Sequence, residues 1–438
     1  MRKPPLTEKF FSKRWAASMA LLLLSIVIFL AYFKTIHGAF QFDDTIWITN
    51  NPVIRSLANL PAILMAQRGL TTATLALNYA MGGLNVAGYH LVNIAIHIIN
   101  TILVYVLLCK TFSLTDFTLP RARLLSLSCA ALFSLHPVQT QAVTYIVQRM
   151  ETLSALFTLL ALISFAWAAR AASPVKKYIL YAIIPMAYIA AFYSKEIALT
   201  LPVLIVLYDI YFINPGAPGK ILEKWPLYAL LFVLLMFFAI TTVAPLGGFS
   251  DVSQDTALAT ATVKTPEIAA KEYADLPPLT SFPTAGFGVP STTPYQYFLT
   301  EANVLLYYYS LLILPMNQNI DYDFPLSKGL WEWPQPNKGT RLTIPLPPPA
   351  LSILIHLALA ALAVFMFLRS LIQKNPTGRY ISFFIIWFFI ILSPTSSFIP
   401  IIDPIFEHRL YLASVGYAVI LTLVLEKLLV RRKTFPAP

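Results

Sequence analysis

Two adjacent aspartates, Asp43 and Asp44, follow shortly after the first apolar run of the chain. A carboxylate in such a position can act as a general base that removes the proton of an acceptor hydroxyl. Adjacent residues of an extended segment point in opposite directions, so we expect only one of the two to face a reacting centre. A solvated or turn-capping pair is the competing interpretation, because Asp is a common loop residue. The favoured hypothesis makes Asp43 the base, with Asp44 either supporting it or holding the acceptor.

Basic residues and histidines also cluster where apolar runs end. Arginine can bind a phosphate through two parallel hydrogen bonds, and lysine or histidine can donate to one. Most of these charges, taken singly, are equally compatible with ion pairs or with side chains that reach headgroup water. Arg409 is a stronger signal, because an arginine at the mouth of a span needs a counter-ion or a bound anion. The candidate phosphate-binding residues are Arg149, Lys195, His408 and Arg409, followed by Arg68 and His136. The candidate supporting residues are Glu151, Glu196, Glu407, Tyr411 and His90.

The composition excludes a water-soluble globular protein. Hydrophobic residues make up 58% of the 438 residues and charged residues only 12%, whereas soluble domains carry about a quarter charged residues. Cys109 and Cys129 both lie inside apolar runs and cannot form a disulfide framework or a zinc site. The reactive side chains must therefore be positioned by elements that lie in a membrane.

Ten apolar runs are long enough, or nearly so, to cross ~30 Å of hydrocarbon as helices. They lie at 15–33, 91–109, 122–136, 151–169, 178–193, 197–213, 225–243, 349–368, 380–394 and 411–430. The first is too long for a signal-peptide core and lacks a small-residue cleavage site, so it is predicted to be an uncleaved anchor. The predicted fold class is an all-α polytopic membrane protein with ten to eleven transmembrane helices and large external loops.

Charge placement predicts the orientation of these spans. Ten spans put both termini on one side, and Lys and Arg then occupy every short segment of that side. The positive-inside rule makes that side cytoplasmic. Membrane orientation thus explains the formal net charge of +11 and leaves no reason to expect nucleic-acid binding. Most acidic residues, and every cluster that could do chemistry, fall on the opposite face, which we expect to be the periplasmic or extracellular face of a prokaryotic plasma membrane.

The chain is predicted to be one transmembrane domain, 1–438, with two long external segments. Residues 34–90 form the first and carry the aspartate pair, and residues 244–348 form the second. A helix near 298–314 is predicted to be interfacial or re-entrant, because an eleventh span would place the basic C-terminal residues outside. No 34-residue helical repeat is visible.

Several motifs, taken in chain order, resemble one known family. They are Phe42-Asp43-Asp44 with Asn51-Pro52-Val53, the segment 77–84 with Gly88 to Asn93, His136 to Val143 with Gln148-Arg149, Ser194-Lys195-Glu196, Asn319 to Pro325, and Glu407 to Tyr411. From about residue 38 to 430 the chain is similar to the membrane half of the transmembrane-and-tetratricopeptide-repeat O-mannosyltransferases and their bacterial and archaeal relatives. Two places depart from that pattern: Gly69 stands where the family suggests proline, and Glu301 and Asn303 where it suggests Gln and Arg.

The resemblance implies a GT-C fold, in which a bundle of membrane helices carries a catalytic acidic pair in the first external loop. It implies a glycosyltransferase that moves a hexose such as mannose from a polyprenyl-phosphate donor. The acceptor would be a hydroxyl of a protein Ser or Thr, of a glycan or of a lipid. Direct attack on the anomeric carbon would invert its configuration. No cofactor or metal is expected, with a divalent cation bound by Glu196 or Glu407 as the alternative.

Two other classes of protein compete with this interpretation. A transporter or flippase predicts polar residues and broken helices at mid-bilayer, whereas most ionisable residues here lie at outer span ends. A non-catalytic envelope scaffold would use the proline-rich external segment for binding.

Overall fold

The computed structural model of the chain describes residues 11–115, 117–243, 285–287, 289, 292–336, 340–373 and 376–432. Most of the first half of the predicted external segment 244–348 therefore lies outside the described residues. So do the basic residues that precede Phe11.

Helices make up nearly all of the regular structure in the described residues. Twelve of them have eight residues or more: α1 (Arg14–Tyr32), α2 (Gly69–Gly82), α3 (Val86–Ser113), α4 (Leu119–Leu135), α5 (Arg149–Ala168), α6 (Pro174–Phe192), α7 (Leu201–Tyr208), α8 (Trp225–Val243), α9 (Pro294–Ile313), α10 (Pro349–Gln373), α11 (Pro376–Leu392) and α12 (Leu410–Arg432). Proline occupies the first turn of several of these helices, where its missing N–H and fixed φ carry no cost. The predicted all-α class is confirmed.

Each predicted apolar run coincides with a helix. Within the described ranges, eight helices are long and apolar enough to cross a membrane, which makes the chain an integral membrane protein. The helices α4 and α11 have only 17 residues each, about 25 Å of helix, and fall just short of that length. The run 197–213 is a composite of a 3-10 turn, α7 and a π-helical turn. The number of spans therefore stays a prediction.

Consecutive helices pack antiparallel. Trp387 of α11 donates its indole N–H to the Leu412 carbonyl near the start of α12. Further along, a Cβ at Gly416 would lie 2.7 Å from the Phe384 carbonyl oxygen, so glycine allows the two helices to approach closely. On α10 and α11, Ser382 donates to the Ala363 carbonyl. The bundle thus has two ends, each formed by alternating helix termini.

We call the end where α1, α4, α6 and α11 finish the site end, and the other end the far end. All the candidate site residues belong to segments of the site end. The far end carries the basic residues Lys110, Arg121, Arg123, Arg170, Lys176, Lys177, Lys220, Lys224, Arg369, Arg379 and Lys427. One ion pair there is fully satisfied: buried Asp209 accepts from Lys224, Asn214 and Tyr228.

The helix α9 contacts the site end along its whole length. It begins with a capping box, in which Thr293 and Gln296 bond each other's backbone N–H groups. Tyr297, in its first turn, donates to the Thr395 carbonyl just after α11, and the Leu312 carbonyl in its last turn contacts the His136 ring just after α4. A helix that crossed the bundle would bring one end to the far end. These contacts favour the interfacial or re-entrant interpretation.

Candidate active site

The first loop turns sharply at Phe42, whose backbone φ of 44° lies in the left-handed region. Such a conformation costs a non-glycine residue about 1–3 kcal/mol and persists only where surrounding contacts hold it. The Phe42 ring packs edge-on against Tyr145, with centroids 6.4 Å apart. The turn leaves Asp43 exposed and buries Asp44. The two carboxylates point apart as expected, although they lie in a turn that begins a π-helical segment and not in an extended one.

Asp44 is a structural carboxylate. Its side chain is buried, and its two oxygens accept hydrogen bonds from the backbone N–H groups of Val147, at 2.8 Å, and Gln41, at 3.0 Å. Burial raises the pKa of Asp44 to about 6, with the charge of Asp43 contributing. The geometry fits a residue that supports Asp43. It does not fit the alternative in which Asp44 holds the acceptor, because both oxygens are occupied and closed off from solvent.

Asp43 is positioned by Tyr145. The Asp43 N–H donates to the Tyr145 hydroxyl at 2.9 Å, and the Asp43 carboxylate lies close enough to hydrogen-bond the same phenol. Burial and the charge of Asp43 raise the pKa of Tyr145, so the phenol keeps its proton. Asp43 therefore presents an ionisable, solvent-accessible carboxylate at a fixed point of the site end.

Arg68 directly precedes α2 and lies near the Asp43 carboxylate. A left-handed Arg68, at φ 54°, precedes Gly69, where a Cβ would lie 2.2 Å from the Ile63 carbonyl oxygen. This close approach accounts for glycine at the position where the family suggests proline. Arg68 forms a two-point ion pair with Glu196 through Nε and one terminal nitrogen, at 3.0 Å each. Its other terminal nitrogen has no hydrogen bond among the described residues, and Asp43 is near enough to interact electrostatically.

Lys195 forms the second ion pair of the site. Its Nζ lies 2.7 Å from the buried carboxylate of Glu151 and 3.4 Å from the Gln148 side-chain oxygen. Burial lowers the pKa of Lys195, and the Glu151 charge opposes that shift. Since an ammonium has three protons, one remains for a further acceptor.

His408 and Arg409 lie beside these pairs. The Gln141 side-chain oxygen accepts from the His408 N–H and contacts its Nδ1. Arg409 donates to the carbonyls of Pro404 and Asp403. Both residues are buried. They therefore lie behind the surface at which a phosphate is predicted to bind and are not exposed on it.

Arg149 is not placed to bind a phosphate, in contrast to the prediction. Its guanidinium is 0% exposed and donates to the side chains of Asn93 and Asn78 and to the carbonyls of Tyr89 and Thr74. The helix over 140–144 ends at Tyr145, and Arg149 begins α5, where it ties together α2, α3 and α5.

His136 and Glu407 both use their polar side-chain atoms to hold neighbouring segments of the chain. The His136 Nδ1 accepts from the Val138 N–H and its Nε2 contacts the Leu312 carbonyl, which uses both ring nitrogens. The Glu407 carboxylate accepts from Tyr322, Gln318 and the Asn319 N–H, and so fixes the segment 317–322.

Tyr411 and His90, two predicted supporting residues, are buried. The Tyr411 hydroxyl bonds His97 and Asn100 in the bundle core. The His90 ring lies against Gly38, and neither of its nitrogens has a hydrogen-bond partner among the described residues.

The structure adds two carboxylates that received no role from the sequence. Asp403 interacts electrostatically with Arg409, Asp321 and Asp43, and burial raises its pKa, with Asp321 adding to the shift. Glu301 of α9 is buried beside Arg409, and burial raises its pKa to about 7 while the arginine opposes the shift. The sequence marked Glu301 only as a departure from the glutamine that the family suggests. The fold shows that Glu301 lies beside Arg409.

A groove of about 230 Å³, lined largely by polar residues, adjoins Asp43. Apart from Glu407, its lining consists of amide, hydroxyl and apolar side chains: Gln41, Thr140, Gln141, Thr144, Tyr145, Gln318, Asn319 and Ile320. Tyr145 belongs both to this groove and to the hydrogen bond that positions Asp43. A groove lined by amides, hydroxyls and one carboxylate, with no basic residue, suits a hydroxyl-bearing ligand better than a phosphate.

The donor set for a divalent cation is poor. Within the described part of the chain, no three His, Cys, Asp or Glu residues lie close enough together to hold a metal ion. The two predicted alternatives, Glu196 and Glu407, already bind Arg68 and the segment 317–322. The residues present do not fit a metal site.

Comparison with known proteins supports the predicted resemblance. A protein O-mannosyl-transferase of Caenorhabditis elegans is 34% identical over 158 residues, which are 33% of this chain and 22% of that protein. The Tmtc1 O-mannosyl-transferase of Drosophila melanogaster is 33% identical over 32% of this chain and 17% of its own length. Human TMTC1, also named a protein O-mannosyl-transferase, is 34% identical over 34% and 18%.

These matches confirm a relationship to the TMTC proteins over about a third of the chain, a shorter stretch than the predicted 38–430. The matched part spans about a fifth of the length of these curated relatives. No family model and no solved structure matches the chain.

Proposed function

We propose that this protein is a membrane glycosyltransferase that moves mannose from a polyprenyl-phosphate donor to a hydroxyl acceptor. The observation that carries the proposal is the site itself: an exposed Asp43 is held near Arg68, whose ion pair with Glu196 lies next to the Lys195–Glu151 pair. Relatives named O-mannosyl-transferases support the reaction class and the sugar.

The chemistry divides between two groups of side chains. A lipid phosphate is already a good leaving group, so the protein must deprotonate the acceptor and offset the charge of the departing phosphate. Asp43 would accept the acceptor proton as the hydroxyl oxygen bonds the anomeric carbon and the bond to the phosphate oxygen breaks. The free nitrogen of Arg68 and the third proton of Lys195 would bind the phosphate. Direct displacement inverts the anomeric carbon.

The site end would face the non-cytoplasmic side of the membrane. The far end carries the basic helix termini, and the positive-inside rule assigns these to the cytoplasm together with both chain termini. The ion pairs lie at helix ends, so they would meet a lipid phosphate at headgroup depth. A prokaryotic plasma membrane, with a periplasmic or extracellular site, fits this orientation.

The acceptor would approach through the polar groove. Its amides and hydroxyls can bond either a peptide around a Ser or Thr or the hydroxyls of a glycan or lipid. The exposed Phe42 ring at its rim offers an apolar face to any of these.

Transfer from a radiolabelled donor tests the proposal. Purified protein in nanodiscs is incubated with polyprenyl-phosphate mannose and a panel of Ser/Thr peptides, glycans and lipids, and label on the acceptor is counted. We expect transfer by the wild type and a loss of about 10²–10⁴-fold in Asp43→Asn. Glu223→Gln, which neutralises an exposed far-end carboxylate, is the matched control and should retain full activity.

Two outcomes would refute the proposal. Near wild-type turnover in Asp43→Asn would show that Asp43 is not the base. Donor binding followed by movement of intact donor across the bilayer, with no labelled acceptor, would instead identify a flippase.

A further inference from the structure

The segment 327–333 is fixed at the level where α10 begins. The Ser327 N–H donates to the Thr300 hydroxyl of α9 at 2.9 Å, and the Ala350 N–H donates to the Leu330 carbonyl at 3.0 Å. The segment is thus hydrogen-bonded to α9 on one side and to the first turn of α10 on the other. Residues that follow Leu330 directly must lie within a few ångströms of that first turn.

The start of α10 marks the boundary of the membrane. This helix has 25 residues of high mean hydropathy, and only 11% of its most apolar window is buried inside the protein. Leu351 and Leu354, in its first two turns, are exposed large hydrophobic residues. Such a helix is covered by lipid, so hydrocarbon begins close to Pro349.

Two tryptophans of the segment 327–333 are largely exposed. Trp331 is 68% exposed and Trp333 is 60% exposed. Lys328 and Glu332, their charged neighbours, are exposed as well. A surface that mixes indole rings with charges suits neither bulk water nor hydrocarbon, whereas indole rings accumulate in the headgroup layer between the two.

We infer that Trp331 and Trp333 form an anchor that inserts into the headgroup layer of the membrane. The lipid interface is the partner of this surface. Because Ser327 bonds α9, the anchor also holds α9 at headgroup depth over the site end. This inference depends on the membrane position of α10 and is independent of the proposed glycosyl transfer.

Depth-dependent fluorescence quenching tests the anchor. The full chain is reconstituted in phosphatidylcholine nanodiscs with bromine on shallow or on deep acyl carbons. The signal of the two rings is the wild-type fluorescence minus that of Trp331→Phe/Trp333→Phe. We expect shallow bromines to quench at least half of this signal, deep bromines to quench less, and aqueous iodide to quench little.

Trp387 provides the matched control, because its ring is 1% exposed and bonds Leu412 inside the bundle. The signal removed by Trp387→Phe should respond weakly to all three quenchers. The inference is overturned if iodide quenches the Trp331 and Trp333 signal strongly while neither bromolipid does. Such a result would mean that the two rings face water and are open to a soluble partner. Should the double variant not fold, each single variant gives its own difference signal.

Discussion

The two ends of the bundle both bury a carboxylate beside a lysine, yet they leave these charges in different states. At the far end Asp209 accepts from Lys224, Asn214 and Tyr228, and the Lys224 ammonium also reaches the Lys220 carbonyl at 3.5 Å, so each of its three protons has an acceptor. At the site end the pairs formed by Lys195 and Arg68 leave a proton and a guanidinium nitrogen without partners among the described residues.

The difference teaches how a charged cluster in a membrane protein can be assigned to structure or to chemistry. Ion pairing alone does not distinguish the ends, since both have it. Hydrogen-bond donors without partners, next to an exposed carboxylate, do distinguish them. A pair whose donors all have acceptors has no donor free to bind a ligand.

The strongest test exchanges one carboxylate at each end. Asp209→Asn should lower the free energy of unfolding by about 3–5 kcal/mol, because Lys224 loses its counter-ion, while activity per folded molecule stays within about twofold. Asp43→Asn should do the reverse, with the melting temperature unchanged and activity lost as described above. Thermal melts and transfer assays on the same preparations measure both. Equal loss of stability in the two variants would erase the distinction between the ends.

A sharper version compares the two members of one site-end pair. Arg68→Gln should weaken donor binding about tenfold, roughly 1.4 kcal/mol, because the phosphate loses a charged donor. Glu196→Gln should tighten it a few-fold, because Arg68 no longer has a competing carboxylate. Titration with donor lipid gives both dissociation constants. Weaker binding in both variants would mean that the pair acts as a structural unit, like Asp209 and Lys224.

Tyr145 tests whether the position of Asp43 matters beyond its exposure. Tyr145→Phe keeps the ring packed against Phe42 and removes the hydroxyl that accepts the Asp43 N–H. We expect kcat to fall about tenfold while donor affinity and melting temperature hold, because a misplaced base loses rate without losing binding. A lower melting temperature with unchanged kcat per folded molecule would show a purely structural role.

Asp44 gives the smallest effect, and it depends on pH. Its folded-state pKa of about 6 exceeds the ordinary value of about 3.9. The stability that it contributes is therefore full below the ordinary pKa and is lost as pH rises through about 6. Between pH 5 and 7 the wild type should lose about 1 kcal/mol relative to Asp44→Asn. Melting curves at the two pH values check this, and a loss of equal size in both proteins would contradict the assignment.

The sequence predicted the helices and the gathering of charges well, because both depend on local patterns. An apolar run must be helical in lipid, and basic residues mark one set of helix ends. The different exposure of Asp43 and Asp44 was predicted as well, although from an extended geometry that this turn does not have.

Roles that depend on partners distant in the sequence were not predictable in this way. Arg149 and Arg68 have the same residue type, yet one is enclosed by Asn78 and Asn93 and the other keeps a free nitrogen. The roles of Asp403 and Glu301 became visible only where the fold brought them to Arg409. Hydrogen-bond satisfaction is a property of the assembled site, and spacing along the chain does not encode it.

Arg149, which ties α5 to α2 and α3, has a consequence for the order in which the chain is synthesised. Among the described residues, every hydrogen-bond partner of the Arg149 side chain lies between Thr74 and Asn93, in segments that leave the ribosome before it. An arginine that entered lipid ahead of its acceptors would carry an uncompensated charge. Here the segments that carry the receiving amides and carbonyls are synthesised before α5. The direction of synthesis therefore makes partners for this residue available by the time that it emerges.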